Sequence, residues 1–281
     1  MVRLARALVL PLVVVFSLLV ASPAGAQTPL PSSMASLGDS ITRAADVCCW
    51  YGDHPHESWS TGDNPIDGIH SQYERLQAVN PAISGHAYND AVSGAKASDL
   101  AAEVAAAVAQ KPDYVTLLIG ANDLCTSSAA TMTSTDTFAS QVNTALATLH
   151  KALPAAHIFV SSIPNLYQLR SVLHGNWLAR AVWSTAGICQ SMLASSDTES
   201  QRQQVVAREA AFNEILSNAC DQYAQCRWDG YATYHYAFAA DQISKLDFFH
   251  PDVSGQKALA ELTWNASWWG AGAAAQPGRQ E

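Results

Sequence analysis

Basic residues are scarce in this 281-residue chain, where 15 lysines and arginines stand against 24 aspartates and glutamates for a formal net charge of −9. That balance speaks against nucleic acid and anionic membrane surfaces as obligatory partners, because both are gripped by clusters of Lys and Arg. Internal repeats and sustained apolar heptads are also missing, which removes solenoids and coiled coils. Asp53-His54-Pro55-His56-Glu57 gathers metal-ligand types, but two histidines around a proline lack the spacing of an established zinc motif and no cysteine pair completes one. No metal and no cofactor are expected.

Residues 1–26 have the layout of a secretory signal peptide. Arg3 and Arg6 form a basic end, an apolar run follows from 8 to 20, and Ala24-Gly25-Ala26 offers a small-residue cleavage site. The run contains Pro11 and is short for a membrane span, which needs about 20 residues. Export is therefore expected, with one domain over 27–269 and a disordered Ala/Gly/Gln-rich tail over 270–281. Losing the leader removes two arginines and no acid, so the mature chain is more acidic still.

Six cysteines in an exported chain suggest disulfides, although many pairings are open. Cys220 and Cys226 bracket five residues and suit a local bridge, and Cys125 has Cys189 as a possible partner. Cys48 and Cys49 are adjacent; a strained vicinal bridge and two free thiols both stay open.

Apolar β-type runs at 34–37, 85–88, 114–119, 157–161 and, weakly, 227–228 alternate with helical spacing at 100–109, 137–149, 201–223 and 255–264. Such alternation predicts a parallel sheet between two layers of helices, a three-layer α/β/α domain. Two stretches break the rhythm, 46–67 and 164–198. Both read as long loops walling a functional site. The tryptophans at 264, 268 and 269 are expected to pack a terminal helix on the sheet, with a glycan-binding platform as the alternative.

Three islands carry chemistry. Gly38-Asp39-Ser40 follows the first strand and places a hydroxyl at the start of the next turn, read as a helix N-terminus whose free N–H groups favour negative charge. Gly120-Ala121-Asn122-Asp123 follows a later strand. Near the end, Asp247-Phe248-Phe249-His250 sets a carboxylate three residues before an imidazole, so that one tight turn can join Asp247 to Nδ1 and leave Nε2 for Ser40. A serine needs such a base, and a tetrahedral oxyanion needs donors. The backbone N–H groups of Ser40 and Gly94 and the side-chain amide of Asn122 are the candidates. Asp39 and Asp123 are assigned structural roles, bracing loops through backbone hydrogen bonds.

In order along residues 34–265, Ser40, Gly94, Asn122 and the Asp247/His250 pair resemble the four blocks of the SGNH hydrolase superfamily, also called GDSL esterases and lipases. Ile41 replaces the leucine of the usual Gly-Asp-Ser-Leu, a swap of similar volume. The resemblance implies a flavodoxin-like fold with its site at the carboxyl ends of the strands, catalysis by Ser40, His250 and Asp247, and an oxyanion hole of Ser40, Gly94 and Asn122. The Gly-x-Ser-x-Gly elbow of the α/β-hydrolase fold is absent. The expected protein is a secreted, monomeric ester hydrolase acting on short to medium acyl esters of small molecules. Acetylated glycans and phospholipids are the alternatives within that class; a non-catalytic carbohydrate- or lipid-binding protein is the alternative outside it.

Overall fold

The computed structural model describes residues 28–270, with Val2 alone before them. The expected leader and nearly all of the expected tail lie outside that range. Five parallel strands, β1 (Met34–Gly38), β2 (Ala87–Asn89), β3 (Tyr114–Leu118), β4 (His157–Val160) and β5 (Cys226–Trp228), form one sheet in the order β2-β1-β3-β4-β5. The α/β architecture with its parallel central sheet is thus the one expected. The chain-order jump at β1/β3 opens a crevice at the carboxyl end of the sheet, the general place for a site in open α/β folds.

Residues of β1 and β3 and most of β4 are buried on both faces, while the edge strands β2 and β5 are half-buried, and period-2 alternation divides the inner residues between two cores. Ala35, Leu37, Val115, Leu117, Ile158 and Val160 point to one. Met34, Tyr114 and Phe159 point to the other, where Trp264, Trp268 and Trp269 pack against them. The Trp269 ring meets Tyr114 edge to face at 4.9 Å, so the terminal tryptophans do close the sheet.

Among the described residues, ten α-helices flank or extend the sheet: α1 (Gln72–Val79), α2 (Leu100–Gln110), α3 (Ala121–Leu124), α4 (Thr135–Ala152), α5 (Leu166–Leu173), α6 (Trp177–Ala186), α7 (Gln190–Leu193), α8 (Glu199–Cys220), α9 (Ala232–His235) and α10 (Val253–Ala266). Their starts follow local chemistry. Ser71 and Glu74 close a reciprocal capping box on α1, Thr198 and Gln201 do so on α8, and Ser134 and Asp252 cap α4 and α10. Phe138 of α4 stacks on Phe212 of α8 with centroids 3.9 Å apart, joining the two longest helices.

Two expectations change. The second strand begins at 87 and not at 85, because a short 3-10 turn at Pro81–Ile83 and Gly85 at φ 76° still carry the chain around the corner. The stretch 164–198 is not a loop: it folds as α5, α6 and α7, capped by Asn165 and Asn176, with Leu166, Leu169, Leu173, Ala179, Trp183 and Met192 buried. Short helices with two or three apolar anchors each leave too little periodicity to stand out in sequence. The stretch 46–67, by contrast, holds only the 3-10 turn Pro55–Glu57.

Both expected disulfides form. Cys125–Cys189 fastens the end of α3 to the start of α7, and Cys220–Cys226 joins the end of α8 to β5. Cys48 and Cys49 are unbridged.

Candidate active site

β1 ends at Gly38, where φ is 139° and a Cβ would lie 2.2 Å from the Leu118 carbonyl oxygen, so only glycine lets the chain turn this close to β3. The Gly38 N–H donates to Glu103 Oε2 of α2 at 2.7 Å. Ser40 follows in an irregular turn and not, as expected, at a helix N-terminus. Arg43 N–H still reaches Asp39 O at 3.1 Å, but Ala44 and Asp46 adopt left-handed φ values of 51° and 54° and stop the helix. Gln256 of α10 braces this turn from behind: its amide donates to Ile41 O and accepts from the Trp59 N–H, both at 2.9 Å.

His250 arrives from the opposite end of the chain, inside the segment closed by the antiparallel bridge of Ile243 with Pro251 and two residues ahead of Asp252, the cap of α10. Pro251 favours the extended geometry of that bridge. Asp247 Oδ1 accepts from the N–H groups of Phe249 (2.9 Å) and His250 (3.1 Å), and Phe248 sits at φ 56° with its carbonyl held by Trp183 Nε1 at 3.0 Å. The turn thereby fixes Asp247 Oδ2 against His250 Nδ1, while His250 Nε2 stands 2.7 Å from Ser40 Oγ. Across 210 residues of sequence, the three side chains form the chain of contacts that can draw a proton from a hydroxyl.

Asn122 lies in α3, entered through Gly120 at φ 120°, where a Cβ would strike Ile163 at 2.6 Å. One N–H of its amide donates to Ala95 O at 3.0 Å, and a primary amide carries a second donor. Gly94 has φ 85° with open space around its missing Cβ; conformation, not crowding, calls for glycine there. Ser40, Gly94, Asn122, Asp247 and His250 all line one cavity of about 720 Å³. Its further walls come from Asp46, Tyr51 and Asp53 on one side and from Val182, Ile188 and the Cys125–Cys189 bridge on another.

Charge at the site follows from burial and pairing. Burial lowers the His250 pKa, but the hydrogen bond and charge of Asp247, with Asp46 and Asp39 adding to them, win and hold it above 6.5. Burial pushes Asp247 up, yet its bonds to His250 and to two backbone N–H groups bring it below the ordinary aspartate value. Asp39 is buried and pushed up to about 7, and Glu103, buried beside it, to about 8. Asp39 Oδ1 accepts from Ile41 N–H, and Asp123 accepts from Ala97 N–H and Thr133 Oγ. Both acids brace loops, as expected.

Glu103 and Gln256 were missed in the sequence. Glu103 alone had a signal, being the acid on the stripe Leu100, Val104, Ala107 that α2 buries. His54 and His56 do not converge: His54 Nε2 contacts Trp50 O at 3.0 Å, and His56 Nδ1 pairs with Asp63 at 2.5 Å. Among the described residues, the grouping with ligand-like spacing is Asp46, Asp247 and His250, within 4.8 Å of one another.

A family model for GDSL-like lipase/acylhydrolase matches residues 34–263, and the chain belongs to that family. The family's description is that of lipases and acylhydrolases, enzymes that cleave carboxylic esters. The fold is similar to that of a solved structure described as a GDSL-like lipase from Parabacteroides merdae, with TM-score 0.54 and 17% identity over 83% of this chain and 94% of that one. Membrane-associated phospholipase B1 of Rattus norvegicus is 26% identical over 182 residues, 56% of this chain and 13% of its own length. The Homo sapiens protein of the same name is 26% identical over 280 residues, 82% of this chain and 19% of its own. The chain thus spans less than a fifth of these curated relatives. Among the described residues, no helix is long and apolar enough to cross a membrane.

Proposed function

We propose that this chain is an exported serine esterase with Ser40 as nucleophile, His250 as general base and Asp247 as the residue that orients and charges the imidazole. The observation that carries the reading is the 2.7 Å contact of Ser40 Oγ with His250 Nε2, with Asp247 on Nδ1 of the same ring. As Oγ bonds to the ester carbonyl carbon, its proton passes to Nε2, and the carbonyl oxygen becomes an oxyanion within reach of the Ser40 and Gly94 N–H groups and the Asn122 amide. Collapse breaks the ester C–O bond, and the leaving alcohol takes the proton from Nε2. Water, deprotonated by the same nitrogen, then hydrolyses the acyl-Ser40 ester and restores the hydroxyl.

Neutral esters of short to medium acyl chains are the proposed substrates. Val182 and Ile188 offer an apolar wall; Asp46, Asp53 and Asp247 supply negative charge, and no lysine or arginine lines the space. The nearby Arg43 is held on Asp53 at 3.0 Å. A phosphodiester headgroup would meet repulsion there, which ranks phospholipids below neutral esters and acetylated glycans. The Cys125–Cys189 and Cys220–Cys226 bridges support an oxidising, extracellular setting.

Ser40→Ala tests the assignment. Ester turnover should fall by roughly 10⁴-fold or more with the thermal melt intact. In the native chain kcat/KM should decline with acid through a midpoint above 6.5, because His250 must be neutral to take the proton and Asp247 holds its pKa up. Native-rate hydrolysis by Ser40→Ala would end the proposal.

A further inference from the structure

Asp46 lies in the loop after Ser40, 201 positions before Asp247, and nothing in its sequence context marks it. The fold nevertheless brings its Oδ2 to 4.0 Å from His250 Nδ1, on the nitrogen that Asp247 also faces. Its side chain is largely buried, 17% exposed against 6% for Asp247.

The loop is built to keep it there. Asp46 N–H donates to Gly52 O at 2.8 Å and Gly52 N–H donates back to Asp46 Oδ1 at 2.7 Å, closing residues 46–52 into a ring. That ring is stapled to the His250 segment at two further points: Ser244 Oγ donates to Asp46 O, and Tyr51 OH donates to Leu246 O at 3.0 Å. Asp46 itself is held at φ 54°, a conformation that Asp and Asn tolerate better than most residues. A left-handed, doubly clamped aspartate is an unusual way to end a turn, unless its carboxylate is wanted where it points.

We infer that Asp46 is a second carboxylate for His250, a positioning residue that shares with Asp247 the stabilisation of the imidazolium formed when Ser40 gives up its proton. The inference rests on the proposed roles of Ser40 and His250. Oδ1 is committed to Gly52, so Oδ2 is the atom that faces the ring. The charged or titratable groups facing His250 are Asp247 from its own turn, Asp46 from the 46–52 ring and Asp39 from the turn carrying Ser40. Asp39 is a weak contributor near neutrality, since its buried carboxyl titrates only at about 7. Asp46 and Asp247 also lie against each other; burial, and then the neighbouring Asp247, raise the Asp46 pKa, and the two carboxyls titrate as a coupled pair.

Asp46→Asn isolates the charge, because asparagine tolerates the backbone angle and its Oδ1 can still accept from Gly52. Asp46→Ser is a second uncharged chain with an oxygen for the same N–H, should Asn disturb the fold. The His250 ring titration is followed by NMR in a Ser40→Ala background, where no turnover is needed. Its midpoint should fall by about half a unit or more on Asp46→Asn. With Ser40 present, the acid limb of kcat/KM should move to lower pH by the same shift, and kcat should drop about tenfold. Adding Asp46→Asn to Asp247→Asn should remove a further tenfold of the residual rate. An unmoved or raised His250 midpoint overturns the inference. Native-rate hydrolysis by Ser40→Ala overturns instead the reading on which it rests, and the two failures are thereby separate.

Discussion

Two segments, one short and one long, line the same cavity, and they are held by different forces. The stretch after Ser40, from Asp46 to Asp53, has almost no regular structure and few apolar anchors; its shape comes from the Asp46–Gly52 pair, the Tyr51 and Ser244 staples and the Arg43–Asp53 ion pair. The stretch 164–198 is helical, buries Leu166, Leu169, Leu173 and Trp183 and is tied down by Cys125–Cys189. Directional bonds fix atoms to fractions of an ångström, as proton transfer requires. Apolar packing and a cross-link fix a surface, which suits a wall that meets an acyl chain. Chemistry is thus expected to depend on the first segment and on the Asp247–His250 turn stapled to it, and substrate fit and stability on the second.

Asp247 separates the two segments most strongly. Asp247→Asn should cut kcat by roughly 10⁴-fold while changing KM little, because the imidazole loses its charged partner and its tautomer control. Steady-state kinetics on an aryl ester checks it; a loss confined to KM would place Asp247 with the substrate wall.

Opening the second wall has a different signature. Replacing Cys125 and Cys189 together by serine should cost roughly 2–5 kcal/mol of stability, seen as a lower midpoint in urea. At permissive temperature KM should rise more than kcat falls, since the bridge touches the cavity without touching Ser40 or His250. Equal loss in kcat would mean that the helical wall also holds the reacting groups.

The smallest effect sharpens the contrast through pH. Glu209 of α8 is fully buried, accepts from Leu166 N–H at the entry to α5 at 3.1 Å, and is pushed by burial up to about 8. Its folded pKa is above its unfolded one, so the folded chain keeps a proton that the unfolded chain has lost between about 4.5 and 8. Stability from this group therefore falls as pH rises across that window. Glu209→Gln should flatten the slope, raising Tm by a few degrees at pH 9 and by little or nothing at pH 5. Calorimetry at the two values reads the difference; an equal shift at both would mean that Glu209 is not protonated in the fold.

Much of this was legible from residues alone. The parallel α/β order showed in alternating runs, and Ser40, Gly94, Asn122, Asp247 and His250 stood in marked turns whose glycines and aspartates announce themselves. Both disulfides and the half-buried tryptophans at 264, 268 and 269 were visible for similar reasons. The helices of 164–198 were not, because each is short and its apolar spacing spans barely two turns. Asp46, Glu103 and Gln256 were hidden for another reason: each acts over a long sequence separation, on Asp247 and His250, on Gly38 and on Ile41, and only tertiary packing pairs them. Local pattern reports local constraint, and a buried polar partner 60 or 200 residues away leaves none, save where, as with Glu103, an acid interrupts an apolar stripe.

Covalent acylation of Ser40 is the step from which the rest of the proposed chemistry follows. A fluorophosphonate probe reacts with a serine only when a neighbouring base activates it, and the adduct is located by peptide mass spectrometry after incubation with the folded protein. One adduct per chain is expected, on the peptide carrying Ser40, with ester hydrolysis lost in proportion to labelling. Full activity in stoichiometrically labelled protein, or complete inactivation with Ser40 unmodified, would contradict it.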